Sequence, residues 1–196
     1  MKNKSKFLII SLISAGVIAL IFGFYYFSNT NSSKETSEKT ALSKDTSTSK
    51  TVKTNTNTTE AQLVYLIEEE KLAHDVYSVM YEKYGANVFG NILNSETSHQ
   101  GRVLTLLQTR SIPDPRSNQV GVFKNQELQD LYNSLIKQGD INATEAYKAG
   151  VAIEEKDIKD ISNQLATATN EDIIGTLESL KGGSENHLRA FNRQLQ

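Results

Sequence analysis

The chain has 196 residues and a formal net charge of −2, and its sequence contains no cysteine. The absence of cysteine excludes a disulfide framework, a thiolate metal site and a lipid-modified cysteine. From Glu60 onward, 20 acidic residues stand against 13 basic ones. Nucleic acid is therefore not expected as a partner, because phosphate binding needs a basic surface.

The N-terminus predicts a membrane segment. Lys2, Lys4 and Lys6 precede an uncharged apolar run at residues 7–27 that ends in aromatic residues. The run is long enough to cross a bilayer as a helix. We predict that residues 1–27 are an uncleaved single-pass anchor, with the rest of the chain on the extracytoplasmic side of the cell membrane by the positive-inside rule. The alternative is a signal peptide whose cleavage leaves a secreted protein.

Residues 28–59 consist almost entirely of Ser, Thr, Asn, Lys and Glu. A segment with so few apolar side chains cannot bury enough surface to offset the chain entropy lost on folding. We predict that this segment is a disordered tether, and that the single folded domain covers residues 60–196.

The folded part shows apolar residues at helical spacing and no convincing strand alternation. Four long helices are predicted, at about 60–84, 87–110, 142–166 and 170–194. A short helix at about 126–137 lies in the long connection between the second and third, which opens with two prolines that end the second helix. This pattern predicts an all-α four-helix bundle with one long crossover connection that carries a short extra helix.

Each long helix places polar residues on its inward apolar stripe. These are Glu70 on the first helix, Glu96 and His99 on the second, Glu154 on the third and His187 on the fourth. Buried unpaired carboxylates cost several kcal/mol in practice, and no Lys or Arg lies in the middle of these stripes to neutralise them. Metal ions would do so. Carboxylates and imidazoles without thiolate favour iron or manganese, and the number of donors suits two ions.

Neighbouring residues receive structural interpretations. Glu68 is predicted to point away from the stripe, Glu69 to lie at its edge, and the charged run around 155–160 to form mostly a solvated face. His74 lies one turn after Glu70 but near the end of the stripe, so it is not predicted to be a ligand. Two tyrosines on the stripes are interpreted as packing residues, namely Tyr77 and Tyr147.

The motifs on these helices resemble a known family. EKLAHDVY from Glu70 and ETSH from Glu96 resemble the metal helices of rubrerythrin-type domains in the ferritin-like superfamily. The superfamily template is a lone Glu from two helices and Glu-x-x-His from two others. EEEKLAHDVY, AIEEKDI and SENHLRAF resemble more closely the bacterial ferritin-like family called domain of unknown function 2202, over residues 60–196. The resemblance implies a ferritin-like fold and a di-iron carboxylate centre.

One departure from the template concerns the fourth helix, where Ser184 in SENH stands in the place of the glutamate. The resemblance implies that Asp157, three residues after Glu154, supplies a further acidic ligand there. The predicted metal ligands are therefore Glu70, Glu96, His99, Glu154, Asp157 and His187. The centre remains open between an asymmetric pair of ions and a single ion.

Three functions remain open from the sequence. The first is redox catalysis at a di-iron or iron/manganese centre that oxidises ferrous iron or reduces peroxide. The second is a metal scavenger or sensor without turnover, and the third is a metal-free helical interaction module. Ligands alone do not define a reaction, so the sequence does not decide whether the protein is an enzyme. The expected partners are metal ions and the membrane, and homodimerisation stays open.

Overall fold

The computed structural model describes the backbone from Ser47 to Gln196 and the side chains from Thr58 onward. The predicted anchor at residues 1–27 and most of the predicted tether lie outside the described residues. Within the described part there are five helices and no strand, which confirms the all-α prediction for the folded domain. No helix in that part is both long and apolar enough to cross a bilayer.

The helices are α1 (Ser47–Tyr84), α2 (Asn87–Thr109), α3 (Gln126–Gly139), α4 (Ala143–Leu165) and α5 (Glu171–Gln194). Their bounds agree closely with the prediction except at the start of α1. This helix begins at Ser47 instead of near residue 60, so the end of the segment predicted as a disordered tether is helical. Residues 47–59 contain no Gly or Pro that would interrupt a helix.

Local sequence explains several helix ends. α1 ends at Gly85, whose φ of +62° is a conformation that glycine adopts without steric cost. Asn125 and Asn142 begin α3 and α4, and each side chain accepts a hydrogen bond from the backbone N–H three residues later, at Leu128 and Glu145. These are the side-chain caps that free N–H groups at a helix start require.

Four of the helices form a bundle. α2 packs against α1 and α5, while α4 packs against α1, α3 and α5. It follows that α2 and α4 lie diagonally across the bundle from each other, as do α1 and α5. α3 packs on α1 and α4.

The apolar core has two separate parts. The first, here called the Tyr77 cluster, contains Leu72, Ala73, Val76, Tyr77, Met80, Phe89, Ile92, Phe123, Leu128, Leu135, Ala146, Ala149, Ile153 and Phe191. The second, the Leu66 cluster, contains Leu63, Leu66, Ile67, Val103, Leu106, Leu107, Ile161, Ile173, Leu177 and Leu180. All four long helices contribute to both clusters, so the clusters occupy two different levels along the bundle.

The order of these residues gives the helix directions. α1 and α5 run from the Leu66 cluster to the Tyr77 cluster, and α2 and α4 run the opposite way. α2 therefore ends at the level of the Leu66 cluster, whereas α4 begins at the level of the Tyr77 cluster. The connection between them has to return along the bundle, which is the crossover that the sequence predicted.

Carboxylates of α1 hold this connection in place. Oε1 of Glu68 accepts a hydrogen bond from the backbone N–H of Lys124 at 2.7 Å, and Oε2 accepts one from Asn125 at 3.1 Å. Asp75 accepts another from the N–H of Gly121 at 2.8 Å. Glu68 faces this connection and not the apolar stripe, as predicted, but the connection buries it, which was not predicted. Helical periodicity did not reveal that the connection covers this side of α1.

Candidate metal centre

A layer of buried polar side chains separates the two apolar clusters. Its residues are Glu70 on α1, Glu96 and His99 on α2, Glu154 and Asp157 on α4, and Ser184 and His187 on α5. None of them is more than 7% exposed. On each helix, these polar residues interrupt the apolar stripe that faces the interior of the bundle. The periodicity of the sequence therefore determines which polar side chains point into the site.

The first group of candidate ligands consists of Glu70, Glu96 and His99. Nδ1 of His99 lies 3.1 Å from Oε2 of Glu70 and 3.4 Å from Oε2 of Glu96. Glu96 and His99 are three residues apart on α2, so both side chains leave the same face of that helix. Donor atoms from two helices therefore converge on one position.

The second group consists of Glu96, Glu154 and His187. Nδ1 of His187 lies 2.9 Å from Oε1 of Glu96 and 3.5 Å from Oε1 of Glu154. Glu96 belongs to both groups, because its Oε2 is near His99 and its Oε1 is near His187. The two imidazole centroids are 5.5 Å apart. A carboxylate that offers one oxygen to each of two positions has the arrangement of a bridging ligand.

Three polar atoms of the layer are buried without a hydrogen bond, namely Oε1 of Glu70, Oδ1 of Asp157 and Nδ1 of His187. The imidazole nitrogen is within ion-pair distance of two carboxylate oxygens but does not have hydrogen-bond geometry with either. An unsatisfied buried polar group costs about 1–3 kcal/mol and is rare in folded proteins. A cation between the carboxylates and imidazoles would give such atoms a partner.

The three carboxylates of the two groups differ in their titration. Burial raises the pKa of Glu70 to about 8, although His99 lowers it, and burial raises the pKa of Glu154 to about 7 against the effect of His187. Burial acts on Glu96 in the same direction, but His187 and His99 outweigh it and lower the pKa of Glu96 to about 2. Glu96 is therefore the carboxylate that stays ionised at neutral pH.

The neighbouring carboxylates favour the protonated form of both histidines. Burial lowers the pKa of His99, but Glu70 and Glu96 outweigh it and raise the value to about 10. Glu154 and Glu96 raise the pKa of His187 to about 9 against the same effect of burial. The layer therefore balances its charge with protons, and bound metal ions would displace them.

Asp157 and Ser184 form a pair at the contact between α4 and α5. Ser184 donates a hydrogen bond to Oδ2 of Asp157. Burial and the negative charges of Glu70, Glu69 and Glu154 hold the pKa of Asp157 well above its ordinary value. Asp157 belongs to neither group of three. The structure thus joins five of the six predicted ligands in two groups and places the sixth beside Ser184.

Tyr77 belongs to this site as well as to the core. Its ring packs against Phe89 and Phe191, which agrees with its interpretation as a packing residue. Its hydroxyl also donates a hydrogen bond of 2.6 Å to Oε1 of Glu154. Burial and the charge of Glu154 hold the pKa of Tyr77 well above its ordinary value, so the hydroxyl keeps its proton. This contact with the site was not predicted from the sequence. The signal for it in the sequence is that Tyr77 lies two turns after Glu70 on the same stripe.

A charged pair lies beside the layer, between α1 and α4. Nζ of Lys156 is 2.6 Å from Oε1 of Glu69, and the Glu69 side chain is only 4% exposed. Glu69 is therefore buried where α1 packs against α4, which its position at the edge of the stripe did not predict. In the charged run around 155–160, Glu155 and Lys159 are exposed and Asp157 is buried, which agrees with a mostly solvated face and with Asp157 as a candidate ligand.

His74, the remaining histidine, lies away from the layer. It belongs to neither group of candidate ligands. Its Nδ1 is 3.5 Å from Oδ1 of Asp75, and its side chain is one-third exposed. This placement agrees with its interpretation as a residue that is not a ligand.

Fold and site together define a helical bundle with two adjoining groups of buried candidate metal ligands. Residues 59–196 match the family model described as an uncharacterized protein domain, DUF2202, and the chain belongs to that family. The match confirms the prediction of domain of unknown function 2202 from the motifs.

Two comparisons lead to the same archaeal relative. The chain is 42% identical over 134 residues to the uncharacterized protein MJ0754 of Methanocaldococcus jannaschii. The aligned region covers 68% of this chain and 72% of that protein. A crystal structure described as hypothetical protein MJ0754 from Methanococcus jannaschii matches with a TM-score of 0.69 at 36% identity. That match covers 82% of this chain and 85% of the other.

Proposed function

We propose that the chain is a ferritin-like di-metal carboxylate protein whose polar layer binds two ions of iron or manganese. Glu70, Glu96 and His99 would hold one ion, and Glu96, Glu154 and His187 the other. The observation that carries the proposal is the division of the two Glu96 oxygens between two imidazoles on different helices.

The donor set suits these metals. Carboxylate oxygens favour manganese, imidazole suits iron, and a combination of carboxylates with two histidines is less characteristic of zinc. The sequence has no cysteine, so thiolate ligands for copper(I) or an iron–sulfur cluster are absent. The unpaired Oε1 of Glu70 fits a donor atom that would bind a cation.

We propose oxidation of ferrous iron or reduction of peroxide as the activity. A pair of iron ions would supply the redox chemistry. Each group offers three protein ligands, which leaves positions of an octahedral ion for water or an oxidant. Tyr77 orients Glu154 through its hydrogen bond, and the apolar clusters on both sides of the layer limit access of bulk water.

Two alternative functions differ in what they require of the layer. A metal-free interaction module would be expected to pair its own buried polar atoms, and the unpaired Oε1 of Glu70 argues against it. A scavenger or sensor would use the same ligands without turnover. Only a measurement of turnover separates it from the redox enzyme.

The test uses purified full-length protein from which metal has been removed. Ferrous iron is titrated first without oxygen, and oxygen or peroxide is then added while its consumption is recorded. We expect two ions per chain and consumption coupled to iron oxidation. Two bound ions without consumption would support the scavenger instead, and the absence of iron or manganese binding would defeat the proposal.

We also propose that the domain is tethered to the outer face of the cell membrane. The support is the apolar run at residues 7–27 and the lysines before it. Protease added to intact cells should then release the domain by cutting before α1. Full protection in cells whose surface is accessible would contradict this location, and a mature protein that lacks residues 1–27 would favour the secreted form.

A further inference from the structure

We infer that a polar cleft outside the contact between α1 and α2 is the entrance by which hydrogen peroxide reaches the polar layer, and that ferrous ion does not use it. The inference rests on the proposed redox function. It names the substrate that this part of the molecule admits and the residues that form the entrance.

The cleft has a volume of about 420 Å³, which is in the range of small-molecule sites. The crossover connection forms its outer wall, with Asp114 and residues 116–120. Nη1 of Arg116 donates a hydrogen bond of 2.7 Å to Oε1 of Gln100, and Nζ of Lys71 donates one of 3.0 Å to the backbone oxygen of Gln119, so this wall is fixed to both helices. The residues that α1 and α2 contribute are Lys71, His74, Asp75, Thr97, Gln100 and Gly101.

Two of the lining residues are one helical turn from candidate metal ligands. His74 follows Glu70 by four residues on α1, and Gln100 follows Glu96 by four residues on α2. Side chains with this spacing are neighbours on one side of a helix, with Cβ atoms about 5–6 Å apart. Because α1 and α2 run in opposite directions, His74 lies towards the Tyr77 cluster and Gln100 towards the Leu66 cluster. The cleft therefore spans the level of the polar layer.

The other sides of the layer are closed to a polar molecule. The two apolar clusters cover its ends, and polar molecules enter apolar surroundings at a cost. Nζ of Lys156 ties α4 to α1 beside the layer, and the hydroxyl of Ser184 ties α5 to α4. Between α2 and α5, Gly183 packs directly against the ring of His99. The contact between α1 and α2 is the remaining side, and the cleft lies outside it.

The charges of the cleft favour an uncharged molecule. Each carboxylate in its walls is paired with a base of the same walls, Asp75 with Lys71 and Asp114 with Arg116. Two acids against two bases produce no net field that would attract ferrous ion. The amide of Gln100 can donate and accept hydrogen bonds. Hydrogen peroxide also does both, carries no charge and is small enough to pass between two helices.

The proposed reaction is compatible with one narrow route. Reduction of one peroxide takes one electron from each of two ferrous ions and two protons from solvent. The O–O bond breaks, and two water molecules form. Each water is smaller than the peroxide, so the products leave by the cleft through which the substrate came.

The test narrows the cleft in the full-length protein. Gly101→Leu and Thr97→Leu place larger side chains one turn apart on its α2 wall, and a Cβ on Gly101 would meet nothing within 4 Å. Gly175→Leu is the matched control, because a Cβ there also meets nothing and this glycine is exposed on α5, away from the cleft. Thermal melting reports the folding of each variant, and titration with Fe(II) in the absence of oxygen reports its loading.

Two measurements then report access. Stopped-flow absorbance gives the rate at which peroxide oxidises bound Fe(II), and the effect of bound Mn(II) on the relaxation of water protons gives access without turnover. We expect Gly101→Leu and Thr97→Leu to slow the peroxide reaction by about tenfold or more and to reduce the relaxation effect. The affinity for Fe(II) and the rate of its loading should stay at wild-type values, and Gly175→Leu should match wild type throughout.

Several results would overturn the inference while the proposed metal binding stands. They are a wild-type peroxide rate in the two cleft variants, a slower rate with an unchanged relaxation effect, and slower loading of Fe(II), which would mean that the ion also uses the cleft. A wild type that reacts with dioxygen but not with peroxide would overturn the choice of substrate. Either cleft variant suffices if the other does not fold. If wild type binds neither iron nor manganese, the proposed function itself fails.

Discussion

Gly183 lies directly against the imidazole of His99. A Cβ atom built on Gly183 would be 2.5 Å from Cε1 of the ring and still closer to Nε2. Real Cβ atoms do not approach other heavy atoms so closely, so the absence of a side chain on α5 is what gives His99 its place. Glycine inside a helix destabilises it by about 0.5–1 kcal/mol relative to alanine. The space that His99 on the neighbouring helix requires explains the glycine at position 183.

Gly183→Ala should therefore push His99 out of the layer. We expect a loss of about 1–3 kcal/mol of stability from overpacking and at least a tenfold loss of affinity for the ion held by Glu70, Glu96 and His99. Gly182→Ala is the matched control, because a Cβ there would meet nothing within 4 Å, and it should stabilise the helix slightly. Calorimetric metal titration and thermal melting of both variants check this, and equal metal affinity in the two would refute the role of Gly183.

Tyr77→Phe should weaken metal binding at the second group while leaving the core packed. The change removes only the hydroxyl that donates to Oε1 of Glu154, and loss of a partner that orients a ligand typically costs 10–100-fold in metal affinity. Tyr147→Phe is the control, since the ring of Tyr147 stacks on Phe89. Equal affinities in the two variants would show that Tyr77 serves packing alone.

The metal-free protein should lose stability as the pH rises from about 5 to 9. The pKa of Glu70 is about 8 in the fold against 4.5 for an ordinary Glu, and that of His99 is about 10 against 6.5. In these windows the folded state keeps protons that the unfolded state releases, so the free energy of unfolding falls as the pH rises, by on the order of 1 kcal/mol per pH unit. Glu96 acts oppositely, because its lowered pKa adds stability that is lost only in acid, as the pH falls from 4.5 towards 2.

Metal should reverse this trend, because its ligands must be deprotonated and binding releases protons. The difference in melting temperature between the manganese-loaded and metal-free protein should grow between pH 6 and pH 8. Melting curves at a series of pH values, with and without Mn(II), provide the measurement. A metal-free protein that becomes more stable across this range would contradict the assigned protonation of the layer.

Lys156→Met should destabilise the fold by about 1–3 kcal/mol, because it leaves the buried carboxylate of Glu69 without its cation. The double variant with Glu69→Gln should recover much of this loss, since no charge is then left unpaired. Denaturant unfolding of the single and double variants gives both values. A double variant as unstable as the single one would mean that the ion pair is not the source of the effect.

Much of this structure could be predicted from the sequence because the helical spacing of apolar residues determines both the long helices and their inward faces. The apolar stripes gave the long helices, and the residues that interrupt them, such as Glu70, Glu96 and His187, proved to share one level of the bundle. The membership of Glu96 in both groups of candidate ligands could not be predicted, because it depends on how α2 and α5 pack against each other.

The residues whose burial was not predicted share a physical reason. Glu68 and Glu69 lie off the centre of the stripe, yet both are buried by partners that periodicity does not show. One partner is the backbone of the crossover connection, and the other is the long side chain of Lys156. The hydrogen bond between Ser184 and Asp157 likewise requires the tertiary contact of α4 with α5.

The most direct test of the central claim is the metal content at equilibrium of full-length wild type, Glu96→Gln and Glu155→Gln after exposure to Fe(II) or Mn(II). Glu96 contributes to both groups of ligands, whereas Glu155 is exposed on α4. We predict two ions per chain in wild type and Glu155→Gln, and a loss of at least tenfold in affinity at both positions in Glu96→Gln. Equal metal binding by Glu96→Gln and Glu155→Gln would contradict the claim that this layer holds the metal.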